Sequence, residues 1–142
     1  MSFDIKAFSG DIEFGPNGDV SQVTDSNKLA QDVLKLLNTP IGTNPMNPGY
    51  GSTLTAEQIG TSLSIEGFVE QTKGILTDAL QTLITQQAYQ SAIQTLTDAE
   101  TIVDFETPIV EQDPQDPRQF NVVVNAISKA LAPLSIALVV RY

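Results

Sequence analysis

The spacing of apolar residues changes character twice along the chain. Asp11-Ile12-Glu13-Phe14 alternates polar and apolar, Gly15-Pro16-Asn17-Gly18 supplies turn residues, and Asp19-Val20-Ser21-Gln22-Val23 alternates again. That order predicts a β-hairpin, with Asn-Gly providing the backbone freedom a tight reversal needs. The period then lengthens. Leu29, Ala30, Val33, Leu34, Leu36 and Leu37 follow helical spacing, with Asp25 or Ser26 as the expected cap. Pro40 should end this helix after Thr39, because a residue preceding proline is pushed out of the helical region. A second and longer helix follows from Phe68, Thr72, Ile75, Leu76, Ala79, Leu80, Leu83, Ile84 and Ala88, capped by Ser62 or Ser64. Glu66 and Glu70 fall in its first turns, where the dipole favours them, and a short helical piece continues the pattern through Tyr89–Leu96.

Between the helices the chain is punctuated by Pro40, Gly42, Pro45, Pro48, Gly49, Gly51 and Gly60, with Tyr50 as the one large ring. No regular element survives that composition, so an ordered loop anchored by Tyr50 is expected. The last third returns to strand patterning. Ile102, Val103, Phe105, Thr107, Ile109 and Val110 read as one strand, Phe120–Ile127 as a second and Leu134–Tyr142 as a third. The alternative for Ala126–Ala132 is a short helical piece. The expected fold is therefore α+β: an N-terminal β-hairpin, two main helices and a C-terminal, largely antiparallel sheet of about three strands, in a single domain spanning 1–142.

Composition narrows the chemistry. The 142 residues contain no cysteine, histidine or tryptophan. Disulfides, thiol nucleophiles, histidine triads and Cys/His metal sites are thereby excluded. With 17 Asp+Glu against 7 Lys+Arg the net charge is −10, which disfavours binding to nucleic-acid phosphates. The longest apolar run, Ile136–Val140, is far below the roughly 20 residues of a membrane span. Met1–Phe8 has no secretory apolar run, so synthesis in a cytoplasm is expected. No glycine-rich phosphate loop occurs, and Ser52, Ser62 and Ser64 have no histidine to act as base. No cofactor is expected.

With no histidine or cysteine, carboxylates are the leading candidates for acid–base chemistry. Asp11 with Glu13, and Glu66 with Glu70, share faces of their elements, the arrangement a carboxylate-pair hydrolase needs. The same spacing arises on any solvated face of an acidic protein. Seven acids lie between Asp98 and Asp116 with no Lys or Arg among them. They fit either a charged strand edge that discourages wrong pairing or a docking face for a basic partner, and charge alone does not separate the two. Asp113-Pro-Gln-Asp116 offers oxygen ligands for calcium but lacks the glycine and terminal glutamate of an EF-hand loop. The segment Leu134-Ser-Ile-Ala-Leu-Val-Val-Arg-Tyr142 suits a central strand of the chain's own sheet, or a sheet edge that accepts a neighbour's strand.

Three segments together resemble a known family, the small baseplate wedge proteins of contractile phage tails that initiate the sheath, with relatives in contractile bacteriocins and type VI secretion. They are the Gly10–Ile12 arm with Gly18-Asp19-Val20, the helix Lys28–Thr39 with Gln31 and Thr39, and the turn from Gly42 through Pro48-Gly49-Tyr50-Gly51 to Leu54. One departure is plain. The family's Glu-Pro-Arg at the helix–sheet junction is matched here only by Ala99-Glu100-Thr101-Ile102, and Asp116-Pro117-Arg118 lies too late to take its place.

The resemblance implies a structural, non-enzymatic virion component whose C-terminal sheet is similar to the strand-exchanging domain of the sheath protein. Its implied partners are baseplate wedge proteins, the tail sheath protein and tube or hub proteins, in six-fold array, with no nucleic acid or membrane. Implied contacts are Leu134, Ile136, Leu138 and Val140 for sheath strand addition, Glu100, Thr101 and Ile102 for wedge docking, and Pro48, Gly49, Tyr50 and Gly51 as the family's loop. Some members carry a lysozyme label, to which this chain adds only its carboxylates. The competing expectations are a peptidoglycan hydrolase and an acidic adaptor or assembly chaperone.

Overall fold

A computed structural model describes residues 2–7, 11–54 and 64–141. Among these residues the order is β1 (Asp4–Ile5), β2 (Gln22–Val23), α1 (Asp25–Asn38), α2 (Ile65–Gln90), β3 (Ile102–Phe105), β4 (Ile109–Gln112), β5 (Gln119–Ser128) and β6 (Pro133–Arg141). The architecture is α+β.

The expected reversal at 15–18 is present. Gly18 takes φ +82°, its N–H donates to the Gly15 carbonyl at 3.0 Å, and Phe14 meets Val20 in a single antiparallel bridge. The regular pairing, however, joins β1 to β2, with Asp4 opposite Val23 and Ile5 opposite Gln22. Lys6 bonds to both hairpin arms, donating to Ser21 and accepting from Glu13. Two residues of alternation at Asp4–Ile5 are too few to register as a strand in the sequence.

Helix α1 stops where proline dictates, with Thr39 extended at φ −91°, ψ 117°. Its start differs from expectation. Thr24 occupies the cap position without a side-chain bond, and Asp25 is the first helical residue, at φ +53°. The Asp25 carboxylate instead accepts from the Thr97 hydroxyl at 3.0 Å, tying the helix start to the segment before β3. Helix α2 is capped by Ser64, whose Oγ accepts from the Gly67 N–H at 3.1 Å; the alternative cap, Ser62, lies outside the described residues. At about 1.5 Å per residue its 26 residues run about 39 Å.

Among the described residues the C-terminal sheet has four strands, in keeping with the antiparallel sheet of about three that the sequence predicts. The segment expected as one strand from Ile102 to Val110 is divided at Glu106–Pro108, where proline supplies no ladder donor. Both pieces pair with β5: Phe105 lies opposite Ala126 and Ile109 opposite Val123. On its other side β5 pairs with β6 along its length, from Gln119 opposite Arg141 to Ile127 opposite Pro133. Hence β3 and β4 lie end to end along one edge of β5, and β6 forms the other margin. The short helical alternative at 126–132 is replaced by β5 continuing to Ser128 and a tight turn, with Leu131 at φ +59°.

The strands alternate cleanly. Phe120, Val122, Val124 and Ala126 of β5 and Ile136 and Val140 of β6 are buried against the helices, while their neighbours face away. From below come Leu29, Val33, Leu36 and Leu37 of α1 and Leu76, Leu80 and Leu83 of α2. Phe68 packs on Phe120 with ring centroids 4.6 Å apart, and each such buried side chain contributes about 1.5–3 kcal/mol. The stripe on α2 ends at buried Gln87, not at Ala88, which is exposed.

Candidate functional site

The margin formed by β6 has a definite hydrogen-bonding polarity. Ser128 N–H donates to the Ala132 carbonyl at 3.1 Å, which marks 128 and 132 as a bonded pair. Antiparallel partners alternate between bonded and unbonded pairs, so Ala126–Leu134, Val124–Ile136, Val122–Leu138 and Phe120–Val140 are bonded. The opposite edge of β5 agrees: the carbonyls of Asn125 and Gln119 accept from Glu106 and Asp113 at 2.9 and 2.8 Å. The N–H and C=O groups of Ser135, Ala137, Val139 and Arg141 therefore point out of the sheet. Among the described residues no strand pairs with them. Beside this edge runs a groove of about 470 Å³, lined by Ala137 and by Ala7, Gln31, Leu34, Lys35, Asn38 and Thr39.

The side chains expected at the sheath contact lie on the core-facing side of β6. Ile136 and Val140 are buried in the chain's own core, while Leu134 and Leu138 are half-buried and pack against it. What β6 offers outward is main chain from the alternate residues, and no sequence pattern reveals that parity.

The loop after α1 is ordered by backbone bonds. Gly42 N–H donates to the Pro48 carbonyl and Tyr50 N–H to the Asn47 carbonyl, each at 3.0 Å. Ser52 N–H donates to the Thr39 carbonyl at 2.8 Å and Ile41 N–H to the Ser52 carbonyl at 3.1 Å, folding the loop onto the helix stop. Gly51 is required at that closure. It takes φ +121°, and a Cβ there would collide with the Thr39 carbonyl oxygen. Ser52, considered in the sequence only as a serine without a base, is a buried anchor: its hydroxyl donates to the Leu37 carbonyl at 2.7 Å, satisfying one of the orphan acceptors of the helix end. Tyr50 is half-buried against the core.

Glu100, Thr101 and Ile102 are largely used internally. Glu100 is 1% exposed, and its carboxylate accepts from the Thr97 N–H at 2.8 Å and the Ser2 hydroxyl at 2.9 Å. Burial opposes its ionisation, but the Thr97 and Ser2 bonds and the nearby Lys28 outweigh that cost, so the carboxyl sits below its ordinary value. Ile102 belongs to the core, and Thr101 alone is partly accessible. Gln87, 4% exposed, donates to the Glu100 carbonyl at 2.9 Å and accepts from the Ile102 N–H at 2.8 Å. Gln31 does the same for the N-terminal strand, donating to Ile5 O and accepting from Ala7 N–H. Each buried amide acts as a substitute peptide unit between a helix and an extended segment.

A cavity of about 540 Å³ adjoins the groove along α1, with Lys35 lining both. It holds two ion pairs, Lys35–Asp4 at 2.7 Å and Lys28–Asp32 at 2.8 Å, flanked by Phe3, Tyr50, Tyr89 and glutamines of α2. Burial pushes Asp32 up despite Lys28. Burial also acts on Asp4, but Lys35 and Gln31 more than offset it and hold Asp4 below its ordinary value. For Lys35, burial lowers the affinity for a proton and the bond to Asp4 overrides it, leaving the amine raised. Burial likewise raises the Tyr50 phenol, with Lys35 opposing.

The carboxylates singled out in the sequence lie elsewhere. Glu13 pairs with Lys6 at 2.7 Å and Glu70 with Lys73 at 3.2 Å, and neither Asp11 nor Glu66 lines the cavity. Asp113 accepts from the amides of Gln115 and Asp116, capping its own turn, and these bonds lower its carboxyl. Among the described residues no group of three acidic side chains is placed to hold a metal ion, and no helix is long and apolar enough to cross a membrane.

No family model and no curated protein matches the chain in sequence. A solved structure does match in shape: a Geobacter sulfurreducens protein proposed to be a tail lysozyme. It superposes with TM-score 0.59 at 9% identity, covering 80% of this chain and 86% of that one. At that identity the match shows a shared fold.

Proposed function

We propose that this protein is a structural component of a contractile tail baseplate, assembled into the virion, that joins the wedge to the tube end and templates the first sheath ring. The supporting observation is the open margin of β6. Four alternate outward-facing positions, Ser135, Ala137, Val139 and Arg141, present main-chain groups that no strand among the described residues pairs, beside a groove floored by α1. A strand of the sheath protein added there extends the sheet by main-chain bonds and covers half-buried Leu134 and Leu138. The shared fold with a protein described as belonging to a tail fits this setting. The test is sheath polymerisation on isolated baseplates carrying Val139→Pro, which removes an outward donor. Loss of polymerisation with intact baseplates is the expected result, and normal sheath growth would sink the reading.

A second reading, peptidoglycan hydrolysis, has its own observation: Asp4 and Asp32 share a cavity and are shifted in opposite directions. Each is already bound to a lysine, which suits a structural role better than proton transfer to a substrate. Clearing of a cell-wall suspension that is lost in Asp32→Asn would favour the enzyme.

A further inference from the structure

We propose that the outward face of the C-terminal sheet is a docking surface for a protein partner bearing an apolar patch flanked by lysine or arginine. This face shares Ala137 and Val139 with the β6 edge but uses their side chains rather than their main chain, and does not depend on strand addition. Register aligns Ile109, Val123 and Ala137 in one row across the sheet. Val139 stands in the next row, opposite Asn121. Ile109, the first residue of β4, and Val139 of β6 are 45% and 54% exposed, large apolar side chains left open to solvent on this face.

The margin along β3 and β4 is acidic. Asp104, Glu106 and Glu111 are exposed there, and none of them forms an ion pair among the described residues. The chain has no Lys or Arg between Gly74 and Pro117 to neutralise them. Asparagines of the face hold two carboxylates in place: Asn125 Nδ2 donates to Glu106 at 3.1 Å, and Asn121 Nδ2 to Asp113 at 3.3 Å. Fixed acids beside an exposed apolar row form a preorganised surface, for which less ordering is needed on binding.

Charge decides the occupant. A second copy of this chain carries the same acidic margin and a net charge of −10, so face-to-face pairing is repulsive. Anionic lipid and nucleic-acid phosphates are repelled for the same reason. A cationic rim around an apolar centre is the complement.

The test is an NMR titration of the full chain with a short amphipathic Leu/Lys peptide, with Leu/Glu and Ser/Lys peptides of equal length as controls. The expected result is perturbation centred on Ile109, Val123 and Val139, binding that weakens with salt, and no binding of the Leu/Glu peptide. The double variant Asp104→Lys, Glu111→Lys should bind the Leu/Lys peptide roughly tenfold or more weakly. Both positions are exposed, and an unchanged amide spectrum elsewhere verifies the fold. Equal binding of the Ser/Lys peptide, perturbations centred on the helices, or unchanged affinity in the double variant would each overturn the proposal.

Discussion

Val139 and Val140 are adjacent in β6 and send their amides in opposite directions. Val140 is buried and belongs to a bonded pair with Phe120, whereas Val139 is half-exposed, opposite Asn121, with its N–H on the open margin. Proline should therefore act very differently at the two sites. Val140→Pro removes a ladder donor, leaves the Phe120 carbonyl unpaired in the core, and should cost at least about 2 kcal/mol in urea denaturation. Val139→Pro should cost less than about 1 kcal/mol, because no bond among the described residues depends on that N–H. Equal destabilisation would contradict the assigned parity.

The amide of Gln87 holds the end of α2 to the start of β3 through Glu100 O and Ile102 N–H. In Gln87→Leu both main-chain groups lose their partner in a buried setting, at about 1–3 kcal/mol each. Hydrogen exchange at Ile102 should accelerate accordingly. Unchanged protection there would show that another acceptor takes over.

Two glycines predict opposite outcomes for the same substitution. A Cβ at Gly74 meets nothing within 4 Å, so Gly74→Ala should stabilise α2 by about 1 kcal/mol. Gly51→Ala forces a side chain into left-handed backbone against the Thr39 carbonyl and should cost about 1–3 kcal/mol or more. Thermal melts of the two variants should move in opposite directions.

Acid should weaken the fold through Glu100. Its carboxyl is depressed in the folded chain, so the unfolded chain binds more protons between the folded and ordinary values, and stability rises with pH across that window. The contribution is present above the ordinary carboxylate range and is lost as pH falls through the folded value. Asp4, also depressed, acts in the same direction, whereas Asp32, raised by burial, acts in the opposite one. Urea midpoints measured from about pH 7 down to about pH 3 should fall less steeply in Glu100→Gln than in the parent. Parallel curves would remove Glu100 from the account.

The local pattern was sufficient for much of the architecture. Apolar periodicity marks both helices, Pro40 sets the end of α1, Asn17-Gly18 sets the first reversal, and β-rich composition marks the segments that become β5 and β6. These features depend on neighbours within a few residues, where steric limits and the period of burial act directly. The candidate site was less legible. Glu100, read as a docking residue, is held inside by Ser2 and Thr97, and the acids Asp4 and Asp32 meet across a cavity from separate elements.

What tertiary structure alone decided is which groups remain unsatisfied. The sequence identified 134–142 as a strand and left open whether it is central or an edge, because edge position depends on which strands occupy the neighbouring places. Pairing register then fixed the outward set as Ser135, Ala137, Val139 and Arg141 rather than their neighbours. An amide points toward a partner or away from one according to contacts distant in sequence, and no local pattern encodes that choice.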